Sequence, residues 1–332
     1  MSKISQIDAI QILDSRGMPT ISARVTLGSS ASAYSMVPSG ASTGSREAIE
    51  LRDKLRAFNG KGVLKAVENI NSIISKALIG RDIFNQYEID SIMQKLDGSS
   101  NKVNLGANAI LAISLCTIKA AAIEQKAELF QYLNSLYKLR FGDALKMSLP
   151  IPMMNIINGG EHANNNIDIQ EFMIMPIGAA SFSEGVMWCS EIYQALKLEL
   201  NQKGLSTAVG DEGGFAPNLR SNKEALELIE RSVALAGYKF GDEIALSLDC
   251  AASEFFKDGK YLLKGDNLSL TSYEFADYLH DLYQDYPIVS IEDGMDENDR
   301  EGWKFLTQLM GSKCNLVGDD LFVTNAKELQ KG

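Results

Sequence analysis

The chain has 332 residues, 45% of them apolar and 23% charged, the composition of folded domains rather than of disordered tails. Acids exceed bases by 11, which argues against a nucleic-acid partner, since such partners are held largely by Lys and Arg neutralising phosphates. No apolar run approaches the ~18 residues of a membrane helix, and the start, MSKISQIDAIQILDSRG, has no apolar stretch of the secretory kind, so the reading is cytoplasmic with no membrane partner.

At roughly 100–200 residues per domain the length suggests two domains, and the texture of the chain agrees. The first, over residues 1–140, mixes short strands with helices. Ile4–Ile12 and Ile21–Leu27 flank the turn Asp14-Ser15-Arg16-Gly17 and read as a hairpin. A loop of small and hydroxylic residues follows, Val37-Pro38-Ser39-Gly40-Ala41-Ser42-Thr43-Gly44-Ser45. Its glycines lack the spacing and the lysine of a P-loop, so a lid is the better functional expectation and a plain connection the alternative. The clearest helical pattern runs from about Gly106 to Tyr132.

From Leu149 short apolar runs alternate with helical stretches, the pattern of parallel strands with crossover helices. Five strands are expected: Leu149–Asn155, Glu171–Pro176, Ile244–Asp249, Ile288–Asp293 and Leu316–Asp319. Ser221 with Glu224 reads as a capping box for a helix that Gly237 ends, and Thr324–Gly332 as the opening turns of another. Five strands do not close a (β/α) barrel, which takes ~250 residues. The four cysteines, Cys116, Cys189, Cys250 and Cys314, form no CxxC pair and read as reduced and structural.

Three acids stand at the ends of three expected strands: Asp249 in LSLDCAASE, Glu292 in VSIEDG and Asp319 in LVGDD, 43 and 27 residues apart. Strand C-termini converge on one mouth of a parallel barrel, and three carboxylates there repel unless a hard cation such as Mg²⁺ neutralises them. The plain alternative is that each acid caps the next helix; three in succession favour the metal. Gly210-Asp211-Glu212-Gly213-Gly214 puts a carboxylate on a tight turn, where it can be a general acid or base, or an ordinary acidic turn. His162 lies in the polar loop Asn158–Asn166, followed by Gln170-Glu171, whereas His280 sits in a helical pattern and reads as packing or surface. Neutral amides near a site serve as hydrogen-bonding groups for a polar ligand.

ILDSRG, VPSGASTG, MNIINGGEHA, IQEFMIMP, AVGDEGGFAPN, LDCAASEF, IVSIEDG and LVGDDLFVTN, in this order, resemble the enolase family over the whole chain. The resemblance implies an α/β fold: a small α+β N-terminal domain, then an enolase-type (β/α)8 barrel with a partly antiparallel start, here residues 145–332 and truncated to about five strands. It implies a lyase, the Mg²⁺-dependent reversible dehydration of 2-phosphoglycerate to phosphoenolpyruvate in glycolysis, in a cytoplasmic homodimer. By motif, Asp249, Glu292 and Asp319 would hold the first Mg²⁺, and Ser42 would join a second that arrives with substrate. Glu212 would protonate the departing hydroxyl with Glu171 in support. His162, Gln170 and Glu171 would line the substrate pocket.

The sequence departs from the family pattern in one large respect. The family's base, a lysine in a motif like I-K-x-N-Q, a later His, an Arg–Ser pair for the phosphate and a second Lys do not follow Asp319. The expectation is an ordinary enolase whose C-terminal ~100 residues are missing from these 332, with little or no activity in the 332 residues alone. The alternative is a catalytically inactive enolase-like binding or scaffold protein. Another acid–base lyase or racemase of the superfamily ranks last, since those carry a lysine pair on an early barrel strand where this chain has GDEGG. Met18 and Asn164 are smaller departures, and neither removes a role.

Overall fold

A computed structural model describes residues 2–40 and 44–332, so Ser42 lies outside the described residues. These residues form two compact units, residues 2–40 with 46–148, and residues 44–45 with 149–332.

In the first unit, β1 (Ile4–Leu13) and β2 (Pro19–Leu27) pair antiparallel, and β3 (Ser32–Met36) adds to β2. The expected hairpin is there because Asp14 organises its turn: one carboxylate oxygen accepts the N–H groups of Arg16 and Met18, at 2.9 and 2.8 Å, and Gly17 takes the left-handed backbone the turn requires (φ 73°). Helix α1 (Leu64–Glu68) runs through a π-helical stretch, Asn69–Ile74, into α2 (Ser75–Leu78), and α3 (Gln86–Asp97) follows. The long helical pattern is in fact two helices, α4 (Ala107–Glu124) and α5 (Leu129–Phe141). The break is a Schellman-type end in which the Ala127 N–H reaches the Ala122 carbonyl at 3.0 Å while Lys126 is left-handed (φ 54°). Lysine holds the position where glycine is usual, so no stop signal marks the break. Helix α4 also corrects the expectation that no run is long and apolar enough to span a membrane, since by length and composition it is. Its small and apolar face lies against the sheet, 56% of it is buried, the Cys116 thiol donates to the Ala23 carbonyl, and Ser35 donates to the Ala112 carbonyl.

The second unit is built on a five-stranded sheet in the order β11-β10-β6-β5-β4. Strand β4 (Met154–Asn158) pairs antiparallel with β5 (Glu171–Met175), which pairs antiparallel with β6 (Ala245–Asp249). Helices α6 (Phe182–Gln202) and α7 (Asn222–Leu235) connect β5 to β6. A small meander of β7 (Phe256–Lys257), β8 (Lys260–Leu263) and β9 (Leu268–Leu270) precedes α8 (Ser272–Asp285). Then β10 (Ile288–Glu292), α9 (Arg300–Met310), β11 (Asn315–Val317) and α10 (Ala326–Lys331) complete the unit, with β6, β10 and β11 parallel. The partly antiparallel start implied by the resemblance is therefore present. The first expected strand is displaced: pairing begins at Met154, not Leu149, because Pro150 and Pro152 have no N–H to give a ladder.

One capping detail differs from the sequence reading in a small way. Ser221 does cap α7, accepting from the Glu224 N–H at 3.0 Å. The Glu224 carboxylate, however, accepts from the Arg220 N–H at 2.7 Å, so the reciprocal half of the box goes to the preceding residue. Gly237 ends α7 in a left-handed conformation (φ 88°) as expected.

Candidate active site

The strand register carries the site. Asn158 is opposite Glu171, Glu171 opposite Asp249, Asp249 opposite Glu292, and Glu292 opposite Val317, so one row across the sheet holds three of the acids singled out in the sequence. Because β5 runs against β6, the first residue of β5 meets the last residue of β6 at the same rim.

On one side of the rim stand His162, Glu171 and Glu212, each with a ligand atom within 4.8 Å of the others. His162 is 5% exposed, and its Nε2 lies 3.6 Å from Glu171 Oε1 and 3.4 Å from Glu212 Oε1. The Glu212 side chain is 45% exposed, on the turn that the glycines allow. The Gly214 N–H donates to Asn158 Oδ1 at 2.9 Å, and the Asp211 N–H donates to the His162 carbonyl at 3.0 Å. A Cβ at Gly210 would sit 2.6 Å from that same carbonyl, so only glycine permits this approach. The Tyr193 hydroxyl donates to the Gly213 carbonyl at 2.8 Å from the α6 side. Burial, a hydrogen bond to Glu212 and the Asp249 charge together push the Glu171 carboxyl far above the ordinary carboxylate range. The Glu171 carboxyl therefore favours its protonated form at neutral pH.

On the other side lie Asp249, Glu292 and Asp293, again within 4.8 Å. Asp249 is pushed up to about 8 by burial first and by the Glu292 and Asp293 charges next. Gln170 links the two halves: its Nε2 donates to Asp249 Oδ2 at 3.1 Å, and its backbone N–H donates to the Asp249 carbonyl at 3.0 Å. Burial and the charges of Asp319 and Asp320 raise Glu292. Asp319 itself is exposed, on the turn after β11, and outside the group of three whose oxygens converge within 4.8 Å.

Sequence reasoning missed Asp293 and Asn158. Asp293 is 4% exposed, and its backbone is left-handed (φ 42°), a conformation that costs a non-glycine residue about 1 kcal/mol or more. Its two oxygens accept the N–H groups of Asp319 and Asp320 at 3.1 and 2.8 Å. The paired acids in IEDG and GDD were the available signal: the second acid of the first pair binds the backbone of the second.

The donors fit a hard divalent cation. All are carboxylate oxygens whose proton affinities are lifted by burial first and by one another's charges second, the condition a cation relieves. The described residues thus bring together His162, Gln170, Glu171 and Glu212, and beside them Asp249 and Glu292.

A family description, "Enolase, N-terminal domain", matches residues 4–133, and a second, "Enolase, C-terminal TIM barrel domain", matches residues 146–332. The chain belongs to the enolase family. Both domains of an enolase-type lyase are thus represented, and the second enolase match contains every site residue described above.

Proposed function

We propose that the protein catalyses the reversible, Mg²⁺-dependent dehydration of 2-phosphoglycerate to phosphoenolpyruvate, acting in the cytoplasm as a homodimer in glycolysis. The observation that carries this reading is the rim row in which Glu171, with Glu212 and His162 beside it, abuts Asp249 and Glu292, carboxylates fit for a cation.

Asp249, Glu292 and Asp319 would hold the first Mg²⁺, and Ser42 would join the second. Bound there, the ions supply positive charge against the extra negative charge that builds on the substrate carboxylate when the neighbouring proton leaves. The work of the chain itself is proton delivery and orientation. Glu212, exposed on its turn, gives its proton to the C3 hydroxyl, which departs as water while the C2–C3 double bond forms. Glu171, whose proton affinity is raised, supports Glu212 as a proton reserve, and the buried His162 lies between the two carboxyls. Gln170 orients Asp249 and offers a neutral face to the substrate. The C2 proton goes to a lysine whose family motif does not occur in these 332 residues, so turnover is assigned to the protein that carries it and little or no turnover to the 332 residues taken alone.

The test is phosphoenolpyruvate formation from 2-phosphoglycerate by the protein purified from its native cell. Turnover that EDTA abolishes and Mg²⁺ restores is the expected result. Mg²⁺ binding with no turnover would sink the enzyme reading and favour a binding protein.

A further inference from the structure

We infer that Asp293 is a positioning residue: it sets the turn that presents the Asp319 carboxylate to the site formed by Asp249 and Glu292. The inference rests on the proposed metal site and adds to it a residue with no ligand role.

The geometry around Asp293 is a cross-tie between three strand ends. Its backbone N–H donates to the Val317 carbonyl at the end of β11, at 2.9 Å. The carbonyl of Asp293 accepts from the Ala252 N–H, just past β6, at 3.0 Å. Side-chain oxygens then take the consecutive N–H groups of Asp319 and Asp320. A residue following Glu292 in regular strand geometry would point to the opposite face. The left-handed backbone at Asp293 breaks that alternation, which returns its carboxylate to within 4.8 Å of those of Asp249 and Glu292.

Near two acids, a third carboxylate could be read as a ligand. Its bonding argues otherwise, since both oxygens are already committed to N–H donors from the Asp319–Asp320 turn. Charge-assisted bonds of this kind are roughly twice as strong as neutral ones and hold direction well. They fix the backbone from which Asp319 projects, while the Asp319 side chain remains exposed and free to meet a cation. Partners that orient metal ligands change affinity by about 10–100-fold when altered.

The test is a Mn²⁺ titration of the full protein, followed by the electron paramagnetic resonance signal of the free ion. Asp293→Asn keeps one acceptor oxygen and loses the other, and should weaken Mn²⁺ binding by about 10–100-fold. Asp293→Glu keeps the charge but displaces it by a methylene, and should weaken binding as well. The decisive variant is Asp293→Asn in an Asp319→Asn background, which should bind no more weakly than Asp319→Asn alone, because the effect of Asp293 passes through Asp319. Multiplying effects in that double variant would make Asp293 an independent ligand and overturn the inference. Wild-type affinity in Asp293→Glu would overturn it too, leaving charge without placement. Failure of the unmodified protein to bind Mn²⁺ would instead remove the metal site on which the inference rests. Unchanged near-ultraviolet circular dichroism in each variant separates these readings from loss of fold.

Discussion

Glu212→Gln is expected to lower kcat for 2-phosphoglycerate dehydration by about 10²–10⁴-fold, with a much smaller change in KM. Glutamine keeps the size of the side chain and a carbonyl oxygen beside His162, but it has no acidic proton to deliver. The turn beneath it is held by backbone contacts to Asn158 and His162, so the substitution should not move its neighbours. The loss should therefore fall on the chemical step, where a group acting only in the transition state shows itself. Steady-state kinetics on the active protein checks this. A variant with unchanged kcat would transfer the acid role to Glu171, the neighbouring carboxyl whose proton affinity is raised.

The second large effect concerns stability. Asp249, ordinarily near 3.8, is pushed up to about 8 in the folded protein, and Asp293 to about 7, each chiefly by burial. Between about pH 4 and pH 8 the native state thus binds protons that the unfolded chain has released. Stability of the metal-free protein must then fall as pH rises through that window. Each tenfold difference in proton affinity is worth ~1.4 kcal/mol, or roughly 3–6 °C in a domain of this size. Mg²⁺ competes with those protons for the same oxygens, so its stabilising effect should grow with pH. Melting curves at pH 5, 7 and 8.5, with EDTA or with saturating Mg²⁺, are the measurement. Asp249→Asn should flatten the pH dependence and shrink the gain from Mg²⁺. A melting temperature indifferent to both pH and Mg²⁺ in the unaltered protein would contradict the buried carboxylate cluster.

Much of the second unit was legible because its signals are local. Glu171–Pro176, Ile244–Asp249 and Ile288–Asp293 are short apolar runs closed by acids or proline, and each agrees with its strand to within a residue at either end. Where the reading slipped, a competing local rule had been overlooked. The displaced start of β4 follows from Pro150 and Pro152, both visible in the sequence. The meander of β7, β8 and β9 was not expected, although Asp258-Gly259 between them announces a tight hairpin; both residues are left-handed there (φ 52° and 76°). The break between α4 and α5 had no such mark, since Lys126 adopts the glycine conformation without being glycine. Among the site residues, Asp249 and Glu292 could be read from strand ends. Asp293 had only the doubled acids of IEDG and GDD as a mark, because its role depends on a backbone torsion and on two N–H groups 26 and 27 residues away.

The reversed direction of β5 has a consequence for the order of assembly. Asn158 and Glu171 are 13 residues apart, so their pairing is a hairpin closure, whereas Glu171 meets Asp249 across 78 residues and Asp249 meets Glu292 across 43. Closing the short loop loses less chain entropy and happens sooner. The rim with His162, Gln170 and Glu171 can therefore take shape from one continuous stretch of chain before α6 and α7 have docked. The cation-binding half has to wait for three strands to gather. Pulsed hydrogen exchange during refolding would see this as early protection of the Gly159 and Gly160 amides, which donate to Gln170 and Ile167, and later protection of the Cys250 and Asp293 amides. The rim that carries His162, Gln170 and Glu171 is thus a local fold of the chain, and Glu212, beyond α6, joins it later, as does the half that gathers negative charge.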